Sequence, residues 1–92
     1  MPKFLIEVPH DKDPVQCARV VKVFLTMGSH FLTNAEWGCM DGVHSCWMMV
    51  DVADKAEARS VIPPLFRDAA KITMVGHLTM ADIEPTLRAH NL

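Results

Sequence analysis

Two strand-like runs, Phe31 to Cys39 and His44 to Val52, flank Met40-Asp41-Gly42-Val43. Asp-Gly is a favoured dipeptide for the two-residue type I′ turn, whose backbone twist matches that of the strands it joins. The segment therefore predicts a β-hairpin. A two-residue turn also dictates a register: Cys39 opposite His44, Trp37 opposite Cys46, Glu36 opposite Trp47 and Asn34 opposite Met49.

The rest of the chain arranges itself around that hairpin. Phe4, Ile6 and Val8 alternate with Leu5 and Glu7 up to Pro9, the period-2 pattern of a strand over Lys3 to Val8. Asp13-Pro14-Val15-Gln16 reads as a capping box, with Asp13 as N-cap, Pro14 at the first helical position and Gln16 reaching back. Cys17, Val20, Val21 and Phe24 then form the inner stripe of a helix ending near Met27, with Gly28 as a left-handed C-cap. Asp54-Lys55-Ala56-Glu57 is a second capping box, and Pro63-Pro64 keeps the helix behind it short or broken. Lys71 to Leu78 reads as a fourth strand. Pro85 is tolerated only in a first helical turn, which favours Asp82 over Thr79 as the N-cap of a terminal helix.

The order β-α-β-β-α-β with a helical tail predicts an α+β fold, a ferredoxin-like sandwich over residues 1–92 with an antiparallel sheet in the order 4-1-3-2 and both helices on one face. At 50% hydrophobic and 22% charged, the composition suits a single globular domain. Nine basic against eleven acidic residues leave no electrostatic footprint for a phosphate backbone or an anionic lipid surface, so neither nucleic acid nor membrane is an expected partner. No apolar run approaches the ~20 residues of a membrane span, and Met1-Pro2-Lys3 leads straight into a strand. Three cysteines, none in a C-x-x-C pair, fit a reducing compartment; the expected location is cytoplasmic. Phosphate loops, nucleophile elbows and H-E-x-x-H are all missing, so the common NTPase, hydrolase and metalloprotease classes lack support.

Val50-Asp51-Val52, a capped Ala-bearing helix, Ile62-Pro63-Pro64-Leu65-Phe66 and Lys71-Ile72-Thr73-Met74-Val75 together resemble the second half of muconolactone isomerases and related small dimeric α/β-barrel proteins. The opening Met1-Pro2-Lys3-Phe4-Leu5-Ile6-Glu7 is similar to short bacterial proteins of the same superfamily, some of them nickel-binding. The resemblance implies a homodimer in which two open sheet faces close into a barrel. It carries over no catalytic residue, because none of the isomerase's matches a position here.

The predicted register sorts the side chains onto two faces. Phe4, Ile6, Val8, Ala35, Trp37, Cys39, Cys46, Met48 and Val50 form an apolar face for the helices to cover, joined by Ile72, Met74 and Leu78. The other face collects Leu5, Glu7, Asn34, Glu36, Ser45, Trp47, Met49, Asp51, Thr73, Val75 and His77. An antiparallel sheet often keeps such a face wet or uses it as a dimer interface. The functional alternative is a small-molecule pocket, with Trp47, Met49, Asn34, Leu5 and Val75 as its walls and Glu7, Glu36 and His77 as candidate catalytic acid/base groups. A second constellation is His10, Cys39, His44 and Cys46, which the sheet order gathers at the hairpin end. Two thiolates with imidazoles suit zinc or nickel, although no recurring zinc spacing is present and a buried cysteine is usually a small hydrophobe. Cys17, on the inner stripe of its helix, is expected to be inert.

Overall fold

The computed structural model describes residues 1–27 and 29–92. Gly28, expected as a C-cap, lies outside them. Four strands, β1 (Lys3–Pro9), β2 (Glu36–Trp37), β3 (Ser45–Asp51) and β4 (Lys71–Val75), alternate with four helices, α1 (Pro14–Thr26), α2 (His30–Thr33), α3 (Lys55–Val61) and α4 (Met80–Ala89). Single 3-10 turns occupy Cys39–Asp41 and Pro64–Phe66. The strands form one antiparallel sheet in the order β2-β3-β1-β4, which counted from the β4 edge is 4-1-3-2.

The period-2 pattern is realised as two unlike faces. Phe4, Ile6 and Val8 from β1, Cys46, Met48 and Val50 from β3 and Ile72 from β4 join Val20 and Phe24 of α1, Leu32 of α2, Ala58 of α3 and Ile62 just after it in one core. Each of the larger side chains contributes roughly 1.5–3 kcal/mol by leaving water. Leu5, Glu7 and Trp47 stand half-buried on the opposite face, and Met49 is exposed there.

Local capping chemistry sets where the helices start. The Asp13 carboxylate accepts the Gln16 N–H at 3.1 Å, as an N-cap should. The Asp13 N–H is taken by the Asp11 carboxylate at 2.8 Å, the contact expected of Gln16. Asp54 caps α3 through the Glu57 N–H at 2.8 Å, and the Glu57 carboxylate reaches back to the Ala53 N–H at 2.9 Å. α4 begins one turn earlier than Pro85 suggested. Thr79 and Asp82 form a reciprocal capping box, which makes Thr79 the N-cap and leaves Pro85 inside the helix. Each supplies the other's backbone N–H with an acceptor, and this offsets the one helical hydrogen bond that Pro85 cannot donate.

Three further expectations are corrected. The run from Phe31 is not a continuous strand: His30–Thr33 is a helical turn whose His30 carbonyl accepts from Asn34 Nδ2 at 2.8 Å and Thr33 Oγ1 at 3.2 Å. Burial of Leu32 at 1% exposure anchors it against the core. Only Glu36 and Trp37 pair with β3, opposite Trp47 and Cys46. The turn is also longer than two residues, with the Val43 and Asp41 N–H groups donating to the Gly38 carbonyl and the Gly38 N–H donating to the Ser45 carbonyl. Gly42 takes the left-handed conformation at φ 77°. The Cys39–His44 and Asn34–Met49 strand pairs therefore do not form. β4 ends at Val75 and leaves Leu78 beyond it; Met74, inside the strand, and Leu78, both expected in the core, are exposed at 63% and 81%.

Gly38 is a point of close approach between the backbone and a packed side chain. A Cβ there would lie 2.7 Å from the Val43 carbonyl oxygen and 2.8 Å from the Trp47 ring. Gly38→Ala should cost about 1–3 kcal/mol, because a backbone carbonyl and a packed indole must both shift. Chemical denaturation measures this as a lower midpoint with an unchanged slope.

Candidate metal centre

Four chain segments converge at one end of the sheet. His10 follows β1, Cys17 lies in the first turns of α1, Cys39 opens the 3-10 turn after β2, and His44 precedes β3. The His10 N–H donates to the His44 carbonyl at 2.9 Å, carrying the β1–β3 ladder one step past Pro9 and Ser45. The Asp11–Asp13 contact folds the connection to α1 tightly, which returns Cys17 to the side of His10.

His10 Nε2 lies 3.1 Å from Cys39 Sγ and 3.4 Å from Cys17 Sγ, and the two sulfurs are 3.5 Å apart. With a ring nitrogen of His44 included, the four ligating atoms all lie within 4.8 Å of one another. A tetrahedral zinc site with Zn–S near 2.3 Å and Zn–N near 2.0–2.1 Å spaces its ligand atoms roughly 3.3–3.8 Å apart. The observed separations match the edges of such a tetrahedron closely enough that small side-chain adjustments suffice.

The surroundings hold these groups in place. The His10 ring meets Trp37 edge-on at 5.6 Å and His44 nearly perpendicularly at 5.6 Å, and Trp37 rests on Phe24 at 5.2 Å. Nδ1 of His10 and Nδ1 of His44 are buried without a hydrogen-bond partner. Burial, with a smaller contribution from the neighbouring His44, pushes the His10 imidazole below its usual range, against the opposing pull of Asp11. A neutral imidazole is the form that ligates metal. The hydrogen bond with Cys39, followed by burial, holds the Cys17 thiol above its ordinary value. Metal binding at Cys17 would therefore have to displace a proton.

Cys46 does not belong to this group. Its side chain points to the helix-covered face at 0% exposure, and burial pushes the thiol up to about 12. It packs as a small hydrophobe, and Cys17, expected to be inert, stands in its place. The error follows from the turn: a two-residue loop would keep Cys39 in the ladder diagonal to Cys46, whereas the longer loop carries Cys39 out of the sheet toward α1. A signal for Cys17 was present, since it follows His10 by seven residues across a connection rich in Asp.

The open-face residues divide into separate places. Leu5, Asn34, Glu36, Trp47, Met48 and Met49 line a shallow groove of about 340 Å³. Lys3, Met49, Val75, Gly76 and His77 line a second one. Glu7 and Glu36 flank Trp47 from opposite sides, two strand spacings apart or roughly 10 Å. Glu7 Oε2 accepts a long contact from the Ser45 hydroxyl at 3.5 Å. His77 lies beyond the end of β4, so Glu7, Glu36 and His77 do not converge on one reacting position. No helix among the described residues is long and apolar enough to cross a membrane. No family model, no curated protein and no solved structure matches this chain.

Proposed function

We propose that this protein binds one borderline-soft divalent transition metal ion through His10, Cys17, Cys39 and His44. The observation that carries the reading is the convergence of four ligating atoms from four separate segments within 4.8 Å. Two sulfurs and two imidazole nitrogens form the Cys₂His₂ set of structural zinc sites, and nickel is the competing occupant. Four protein ligands close the coordination sphere, which points to a binding or structural role and away from an open catalytic metal. Bound metal would tie the β1–α1 connection, the start of α1 and the hairpin turn together at the end of a sandwich of ferredoxin-like topology.

Elemental analysis of protein purified without chelator should find about one equivalent of zinc or nickel per chain, the content expected of a closed four-ligand site. Replacement by cobalt(II) should give the intense visible bands of tetrahedral cobalt together with a sulfur-to-metal charge-transfer band. Substoichiometric metal after zinc, nickel and cobalt loading, with no cobalt–thiolate absorption, would overturn the reading.

A further inference from the structure

α4 contradicts the economy of the rest of the chain. It carries an apolar stripe of Met80, Ile83 and Leu87 at helical spacing, and no residue of the helix is buried. Met80 is 64% exposed and Leu78, just before it, 81%. The radius of gyration is 16.8 Å and the long axis 55 Å, against about 12 Å for the radius of a compact 92-residue domain. The accessible surface of 6535 Å² exceeds the roughly 5,400 Å² of a compact chain of this mass by about 1,100 Å². A standard interface buries about 800 Å² on each partner, so this excess is what a stable dimer would remove from water.

The same chain offers the matching surface. On the open sheet face, Leu5 stands beside Met49 on one side and Thr73 on the other, with Trp47 and Val75 in the adjoining rows. Charges bordering this strip include the opposite-sign cross-strand pairs Lys3 with Asp51 and Glu7 with Lys71, and Glu36 beside Trp47 adds one negative charge outside these pairs. On α4 the residues beside the stripe are likewise self-paired, Arg88 donating to Glu84 at 3.2 Å. Ten helical residues span about 15 Å, close to the roughly 14 Å width of a four-stranded sheet.

We infer that α4 docks its Met80–Ile83–Leu87 stripe on the open sheet face of a second copy of this chain, in a reciprocal two-fold exchange. The exchange is isologous: each copy supplies one helix and one sheet face, and both unpartnered apolar surfaces are covered by the same contact. It is independent of the metal centre, which lies on the helix-covered side of the sheet end.

Sedimentation of the full chain should give twice the chain mass at micromolar concentration. Ile83→Asp and Leu87→Asp on α4, and separately Trp47→Glu on the sheet, should each weaken the dimer by roughly 100-fold, the loss expected when a buried apolar anchor is replaced by a charge. Arg88→Ala, on the border of the stripe, should leave the mass unchanged. Because α4 contributes nothing to the core, the two helix variants should keep the wild-type strand signature in circular dichroism. A monomeric wild-type chain would overturn the inference. So would a dimer that survives both α4 variants, even one lost in Trp47→Glu, since that result describes a sheet-on-sheet contact without exchange.

Discussion

Cys39→Ser should abolish stoichiometric zinc and lower the melting temperature of the metal-loaded protein by about 15 °C or more, while leaving the apo protein within a few degrees of wild type. A ligand present at a thousand times its dissociation constant stabilises the state it binds by about 4 kcal/mol. In a domain of this size each kcal/mol moves the melting temperature by roughly 4–8 °C. Cys17→Ser should behave the same way, since Cys17 Sγ and Cys39 Sγ sit 3.5 Å apart and share His10 Nε2. Cys46→Ser should do the reverse. Its hydroxyl would replace a fully buried thiol, costing about 1–3 kcal/mol in apo and loaded protein alike, with metal content unchanged. Thermal melts with and without zinc, paired with elemental analysis, separate the two patterns. Equal melting temperatures for apo and zinc-loaded wild type would remove the premise.

Phe24→Ala should be the most damaging single change in the core, with a loss of about 3–5 kcal/mol out of the 5–15 kcal/mol that such domains possess. Phe24 is 0% exposed and is the largest fully buried side chain. It also joins two parts of the molecule, meeting Trp37 at 5.2 Å and Phe66 at 5.9 Å, and Trp37 in turn supports the His10 ring at 5.6 Å. The cavity left by alanine should therefore weaken metal affinity as well as stability, since an imidazole with a loosened neighbour loses its fixed orientation. Phe24→Leu, which refills most of the volume, should recover the larger part of both. Urea denaturation measures the first effect and competition with a chromophoric chelator the second. A full loss of stability with unchanged affinity would show that Trp37 holds His10 without help from Phe24.

Much of the fold was legible because its signals are local. The alternation of Phe4, Ile6 and Val8 forces a one-sided strand, and Asp13-Pro14 and Asp54 start helices through contacts two or three residues away. The pairing of Glu36 with Trp47 and Trp37 with Cys46 followed from the hairpin pattern. Where the reading failed, a local preference met a second claim on the same residues. Asp-Gly favours a two-residue turn, yet the Gly38 carbonyl gathers two N–H groups and opens the loop around Cys39. Phe31 and Leu32 suit a strand, yet Leu32 gains more by plugging the core from a helical turn. Pro85 argues against an earlier helix start, yet the mutual capping of Thr79 and Asp82 prevails.

The candidate site divides along the same line. His10, Cys39 and His44 were within reach of the sequence because strand order alone brings the end of β1 beside the start of β3. The fourth ligand had only a weak signal, because the choice between Cys17 and Cys46 depends on how α1 docks and on how far the turn carries Cys39 out of the ladder. Cys46 is committed to the core by strict alternation with Trp47, and that alternation was readable; what the turn length did to Cys39 was not. By itself the sequence determined β1, β3, the starts of α1 and α3 and the two-faced sheet, since hydrophobic period and capping act over a few residues. Only the tertiary structure decided which cysteines meet and whether α4 finds cover within its own chain, because both depend on contacts between segments that no local pattern encodes.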